Sequence, residues 1–377
     1  MIRSLVNNQL KQFCSQPKNA ALMKEKININ LDDKKFNFKD FAEITKMKLS
    51  LANTLVALPL FVKYSTNDLL IIPFSLATQL MAMSTQTANQ AIETDYDKLM
   101  VRTCRRPLPM KKLDKNLAKI LSLSIWTGSN IIFYSFFNLQ TILVANSIFA
   151  SYVFIYTPMK RQTPLNTMFG AVVGCLPVYL GHSAGGGSLL DLEPLCQFGY
   201  MFCWQFSHFY GILWMYKKDY DSAGFKMLQD PMVAVKQMKY TLAIGGVSCL
   251  GFGQFLENNF AHIAEISMML ALYKWAWIPL LEFQKDPSAQ KARKLKLNSY
   301  IHFTLFWTFI YGDVLIEKAK QYYQQFQEYI QDKQKQKLNK QQENEMIQQN
   351  NIQQIIQTEQ NQNENNKKDQ INNENKQ

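Results

Sequence analysis

Hydrophobic and polar positions divide this chain into three stretches. Residues 1–46 are polar, 47–316 carry long apolar runs, and 317–377 are polar again. The apolar runs lie near 47–66, 68–88, 116–136, 139–157, 165–184, 194–216, 237–257, 259–281 and 299–316. Most approach the ~20 residues that a helix needs to cross a bilayer. Backbone groups in lipid must be satisfied internally, and a helix does this within one segment. The pattern therefore predicts an all-α, polytopic membrane helix bundle with about nine transmembrane helices. It divides the chain into an N-terminal transit-type and polar segment over 1–46, a transmembrane domain over 47–316 and a tail over 317–377. The tail is rich in Gln, Asn and Lys, and is expected to be disordered after a helical beginning.

Charge gives the bundle a direction. The loops at 89–115, 158–163, 217–236 and 282–298 hold eighteen Lys and Arg, and the loops between them almost none. Basic loops stay on the cytoplasm-equivalent side of a membrane. The net charge of +12 is thus mainly a topology signal, and it punctuates apolar spans rather than forming a nucleic-acid surface. Mean hydropathy over the whole chain, -0.19, hides the spans by averaging them with the polar ends. The six cysteines form no CxxC pair, which argues against a disulfide framework or a zinc site. Residues 1–24 carry four basic side chains and no acid, and Ile2, Leu5, Val6, Leu10 and Phe13 share one helical face. That composition fits a mitochondrial transit peptide.

The notable polar residues gather in loops on one side. Asn89, Glu93 and Asp97 follow an apolar span at intervals of four, so on a helix they share a face. Arg102, Arg105 and Arg106 follow them. Oxygen ligands of this kind suit Mg²⁺, which is typically held by a few carboxylates together with substrate phosphates. Carboxylates backed by arginines at a membrane edge therefore indicate a site for Mg²⁺ and a diphosphate. A second loop runs Tyr156-Thr-Pro-Met-Lys160-Arg161, and a third Lys217-Lys-Asp219-Tyr220-Asp221-Ser-Ala-Gly224. Isolated interfacial lysines also serve as topology signals, and Asp95 and Asp221 also fit solvated loop positions. Span six contains Trp204-Gln-Phe-Ser207-His208-Phe209; a histidine there must find a partner, either a substrate or a neighbouring helix. His182 is expected away from this site, on the opposite side. Glu265 and Lys274 are costly in lipid and are expected to face the bundle interior.

These motifs, in this order, resemble the UbiA-type intramembrane prenyltransferases over about residues 45–312. Asn89, Glu93 and Asp97 match the family's N-x-x-x-[DE]-x-x-x-D, and Met100, Arg102, Thr103, Arg106, Pro107 and Leu108 match its M-x-R-T-x-x-R-P-L. Residues 156–161 match Y-T-P-x-K-R, 166–177 match N-T-x-x-G-A-x-x-G-x-x-P, 204–209 match W-Q-x-P-H-F, and 217–224 match K-x-D-Y-x-x-A-G. The arginine and histidine motifs are those of the branch that farnesylates heme, and Glu93 looks like its mitochondrial version. Ser207 stands where that family usually has Pro, Asp219 and Asp221 replace acids four apart, and the tail lies outside the family pattern.

The resemblance implies transfer of a farnesyl group from farnesyl diphosphate to a vinyl group of heme B, in the lipid bilayer of the mitochondrial inner membrane. The motif loops would then face the matrix. It implies Mg²⁺ on Asn89, Glu93, Asp97 and Asp219, and diphosphate contacts from Arg102, Arg106, Lys160 and Arg161. Trp204, His208, Phe209 and Tyr220 would line the heme and prenyl pocket, and a heme A synthase is the implied downstream partner. No nucleic-acid partner is expected. The competing readings are a prenyltransferase for an aromatic quinone precursor, an inactive relative that scaffolds heme-pathway proteins, and a transporter. Transporters place their sites near the midplane between repeated halves, whereas these motifs cluster on one side.

Overall fold

The computed structural model describes residues 36–227, 230–255 and 261–374. The expected transit helix at residues 1–24 lies outside the described residues. Two compact units divide the chain, one running through Leu315 and one starting at Ile316. Among the described residues there are helices and no strands.

A short helix, α1 (Phe38–Ile44), opens the first unit. A capping box sets it: Asn37 Oδ1 accepts from the Asp40 N–H at 3.0 Å, and Asp40 answers to the Asn37 N–H. Then come α2 (Met47–Tyr64), α3 (Ile71–Asp97), α4 (Lys115–Phe136) and α5 (Leu139–Ala150). Helix α5 continues through a π turn, Ser151–Tyr156, into Thr157–Met159. Next are α6 (Asn166–Ala184), α7 (Leu192–Met215), the short α8 (Lys217–Ser222) and α9 (Pro231–Gly253). The last pieces are α10 (Ala261–Leu272), a second π turn (Tyr273–Trp277), α11 (Ile278–Lys285) and α12 (Ala289–Glu374).

Helix α3 packs along α4 and α2, α6 packs on α2, α5 and α7, and α7 packs on α9. Two apolar cores result. One, around Phe61, Phe74, Phe133 and Leu180, ties α2, α3, α4 and α6 together. The larger, around Tyr200, Phe206, Tyr210, Phe252 and Phe306, holds the second half. Polar seams accompany them, as where Ser84 and Ser122 bond across α3 and α4 at 2.8 and 2.9 Å. Small hydroxyls at such contacts are typical of helices that associate in lipid.

Much of the outside is apolar. On α4, Leu117, Ile120, Leu123 and Ile131 are exposed; on α9, Tyr240, Ile244, Val247 and Leu250 are; on α10, Ile263, Ile266 and Leu270 are. Stripes at this spacing facing outward suit hydrocarbon, not water. Asp68–Asp97, Leu139–Met159 and Asn166–Ala184 are by length and composition able to cross a membrane. The described parts of the other apolar segments are helical too, but they carry more polar groups, such as Gln205 and His208 in α7.

Three features go beyond or depart from the sequence pattern. The end of the polar N-terminal segment is folded onto the bundle: Gln90 Nε2 donates to the Glu43 and Ile44 carbonyls at 2.9 and 2.8 Å, and Lys112 pairs with the buried Asp40 at 2.6 Å. Lys274 is exposed and lies over the Trp275 ring; a π turn swings it outward, where its stem covers apolar surface. The second unit is helical to Glu374. Residues 317–377 contain no Gly or Pro, and Gln, Lys and Glu are good helix formers.

Ser207 is buried, and its hydroxyl has no hydrogen-bond partner among the described residues. An unmade buried hydrogen bond costs about 1–3 kcal/mol. Ser207→Ala should therefore raise the thermal unfolding midpoint of the detergent-solubilised protein, and a lower midpoint would show that the hydroxyl is satisfied.

Candidate functional site

Helix α3 carries the first set of polar groups. Its last three turns are buried almost all round, and Asn89, Glu93 and Asp97 are each no more than 6 % exposed. Asp97 ends the helix, where the dipole disfavours a carboxylate. The following loop compensates. The Thr103 hydroxyl donates to the Asp97 carbonyl at 2.9 Å and folds the loop back, and Arg106 Nη1 reaches Asp97 Oδ2 at 2.8 Å.

The π turn of α5 aims Tyr156 and Lys160 at the same place. Such turns rotate the chain beyond them and are frequent at functional sites. Lys160 Nζ pairs with Glu93 Oε1 at 2.8 Å and lies 4.7 Å from the centroid of the Tyr156 ring. Burial works against the Lys160 charge, yet Glu93 holds its pKa above the ordinary lysine range. Asn89 Nδ2 donates to Thr157 Oγ1 at 3.1 Å, joining α3 to the end of α5.

Helix α8 and its loop close the third side. Gly224 has φ +68°, a turn conformation that a side chain disfavours, and it reverses the chain after α8. The reversal lets Phe225 meet Tyr220 edge-on at 5.9 Å and Tyr96 at 6.1 Å. The Lys226 N–H donates to the Lys160 carbonyl at 2.8 Å, and Asn166 Nδ2 donates to the Lys226 carbonyl at 2.9 Å. The Arg102 N–H donates to Asp219 Oδ2 at 3.0 Å, and Arg102 Nη2 to the Tyr220 hydroxyl at 3.3 Å. Three loops distant in sequence are thus stitched together at one end of the bundle.

Between them lies a cavity of about 120 Å³. It is lined by eight of the expected residues: Asn89, Glu93, Asp97, Arg102, Arg106, Lys160, Phe209 and Tyr220. Lys46, Met100, Tyr156, Phe225 and Met227 complete its wall. Pockets for drug-sized molecules run to roughly 300–1,000 Å³. This one has room for a phosphate-sized head group, so the prenyl chain or porphyrin that the sequence resemblance implies would need the walls to part.

Four of the expected residues lie outside that wall. Asp219 is held against the Arg102 backbone at the rim. Arg161 stacks over Tyr96 at 4.0 Å and donates to its hydroxyl. Trp204 and His208 turn the other way, toward α12: Trp204 Nε1 donates to the Ser299 carbonyl at 2.9 Å, and His208 Nδ1 meets Ser299 Oγ at 3.1 Å. Their rings stack at 4.8 Å. His208 thus has a helix-packing partner. The remaining histidines lie elsewhere: His182 on Asp191 at 2.7 Å, His302 on the Tyr200 hydroxyl at 2.9 Å, and the exposed His262 by Glu265.

Lys46 is the charged wall residue that sequence reading missed. It adopts the left-handed conformation, φ 44°, at the start of α2, which costs a non-glycine residue roughly 1–2 kcal/mol. Its Nζ donates to Gln86 Oε1 at 2.9 Å and Asn89 Oδ1 at 3.3 Å. Burial, then Arg106 and Lys160, push its pKa down to about 7, against the pull of Glu93 and Asp97. A site that crowds cations in this way suits an anion. The one available signal was an unexplained Lys directly before the first span.

One carboxylate oxygen of the site is left without a partner: Asp97 Oδ1 is buried with no hydrogen bond among the described residues. No cluster of three or more Asp, Glu, His or Cys able to hold a metal occurs among the described residues. Mg²⁺ does not need one, since it usually keeps waters and shares one or two carboxylates with substrate phosphates. Lys160→Met should destabilise the fold by roughly 3 kcal/mol by stranding Glu93, and adding Glu93→Gln should restore the loss. Unfolding midpoints check this; a single variant as stable as wild type would contradict it.

A model of the UbiA prenyltransferase family matches residues 50–309. The chain is 32% identical over 229 residues to a protoheme IX farnesyltransferase of Rhodopirellula baltica, covering 58% of this chain and 79% of that protein. It is 31% identical over 276 residues to a protoheme IX farnesyltransferase of Christiangramia forsetii, covering 71% and 90%. Its fold is similar to that of a UbiA homolog from Archaeoglobus fulgidus bound to GPP and Mg²⁺, with TM-score 0.53 and 14% identity over 72% of this chain and 99% of that one.

Proposed function

We propose that this chain, which belongs to the UbiA prenyltransferase family, transfers the farnesyl group of farnesyl diphosphate to a vinyl group of heme B, giving heme O. The observation that carries the reading is a single cavity in which Arg102, Arg106, Lys46 and Lys160 face Glu93 and Asp97 beneath an aromatic wall. The bacterial relatives named for the same reaction support it.

The reaction follows from these groups. The guanidinium and ammonium groups bind the diphosphate and stabilise the charge that grows on it as the allylic C–O bond breaks. That bond's electron pair leaves with the diphosphate. Phe209, Tyr156 and Tyr220 line the cavity, where aromatic rings stabilise the allylic cation left behind. The vinyl group then gives its π electrons to a new C–C bond. The carbocation formed beside the porphyrin takes up water and loses a proton, leaving a hydroxyl. Excluding bulk water from the wall until that step protects the first cation. Asn89, Glu93 and Asp97 would hold Mg²⁺, which when bound adds further positive charge to the leaving diphosphate. Asp219, at the rim beside Arg102, would join them once the walls move.

The bilayer suits both substrates, since prenyl chain and porphyrin are largely apolar. The same reading places about nine spans in the mitochondrial inner membrane with the motif loops toward the matrix, and makes a heme A synthase the consumer of the product. The test is an acceptor assay on purified protein with labelled farnesyl diphosphate and Mg²⁺. Label should enter heme B and not an aromatic quinone precursor; the reverse would move the chain to the quinone branch. Transport of label across sealed vesicles with no prenylated product would reject an enzyme altogether.

A further inference from the structure

One oxygen of each candidate metal ligand is already bonded. Lys46 Nζ sits on Asn89 Oδ1 at 3.3 Å, Lys160 Nζ on Glu93 Oε1 at 2.8 Å, and Arg106 Nη1 on Asp97 Oδ2 at 2.8 Å. The Arg102 N–H occupies Asp219 Oδ2 at 3.0 Å. Inside the cavity the cationic side chains of Lys46, Arg102, Arg106 and Lys160 outnumber the carboxylates of Glu93 and Asp97. A bare divalent cation entering this wall meets net repulsion, and each ligand oxygen that is already bonded must first be freed from its ammonium or guanidinium group. A diphosphate meets attraction and gives those same groups better partners, since charge-assisted bonds to phosphate are short and strong.

Lys46 differs from Lys160 and Arg106 in what it holds. Its partners are two neutral amides rather than a carboxylate, so it loses less than they do by leaving. Its left-handed backbone is a conformation that persists where the surroundings enforce it, and such outliers gather at ligand clamps. When its ammonium turns to a phosphate oxygen, the Asn89 oxygen is released in the cavity that Asp97 also lines.

We propose that Lys46 is a further diphosphate-binding residue, and that it makes binding ordered: the diphosphate enters first or as its metal complex, and by drawing Lys46 away it opens Asn89 to Mg²⁺. This rests on the reading of the cavity as a prenyl diphosphate site.

The test uses the full chain in lipid nanodiscs, with inorganic pyrophosphate and Mn²⁺ as probes. Calorimetry reports pyrophosphate, and the electron paramagnetic resonance signal of free Mn²⁺ reports the metal. Pyrophosphate should bind without metal and should tighten Mn²⁺ binding by at least about tenfold, with the same factor returned by Mn²⁺ to pyrophosphate. Lys46→Asn, whose side chain tolerates the left-handed conformation, should weaken metal-free pyrophosphate binding by a similar factor and lose most of the coupling. Lys46→Arg should retain both. Lys46→Gly, with no backbone penalty, replaces the Asn variant if that one unfolds. Tight Mn²⁺ binding that pyrophosphate leaves unchanged would overturn the ordering, and wild-type behaviour of the Asn or Gly variant would overturn the role of Lys46. If pyrophosphate fails to bind the wild-type protein with or without Mn²⁺, the diphosphate reading itself falls, and this inference with it.

Discussion

Asp97→Asn should leave the protein folded and in the membrane while heme O formation falls by roughly 10³-fold or more. The substitution keeps the shape of the side chain and removes its charge. Asp97 is 1 % exposed, receives Arg106 on one oxygen and keeps the other buried and unpartnered among the described residues. An amide keeps one acceptor oxygen but puts a donor where the second was. Arg106 would lose its counter-charge, and the metal a hard anionic ligand. Product formed in membranes, normalised to inserted protein, is the measurement. Activity within a few-fold of wild type would detach Asp97 from the chemistry.

Gly181→Val should have the largest effect on the fold. A Cβ at Gly181 would overlap the Ala57 carbonyl, so here α6 and α2 touch backbone to backbone. That atom cannot swing aside as a side-chain tip can. The helices would have to separate, opening the core around Ala57, Phe61 and Leu180. Overpacking against backbone should cost at least about 3 kcal/mol, and folded protein recovered from membranes should drop sharply. Gly128 is the control, because a Cβ there meets nothing within 4 Å. Gly128→Ala should be neutral or stabilising by up to about 1 kcal/mol. If both variants fold equally well, close approach of α2 and α6 is not what holds the first half together.

The helical fold and one face of the site were readable in the residues alone. Asn89, Glu93 and Asp97 recur at the helical period directly after an apolar run, which forces them onto one face near a membrane edge. The meeting of the three loops was readable only as a condition, that the helices bundle. The bonds that meet it, such as the Lys226 N–H to the Lys160 carbonyl, are backbone contacts that no side-chain pattern announces.

Helical phase explains where the expectation for span six departs. Trp204 and His208 are four apart and share a face, and that face meets α12 through Ser299. Phe209, one residue on, is turned by roughly 100° and lines the cavity. A motif read as a string puts all three in one pocket, whereas the helix splits them. Lys46 stayed hidden for a different reason. It lies in a stretch that looked like a polar leader, and its place in the site depends on one left-handed residue that periodicity does not encode.

The most direct test is to express this chain in cells that lack heme O synthase activity and to analyse the extracted hemes by chromatography and mass spectrometry. Heme O should appear with the wild-type chain and vanish with Asp97→Asn, although both proteins are inserted. Heme B alone, in the presence of stable wild-type protein in the membrane, would contradict farnesyl transfer to heme.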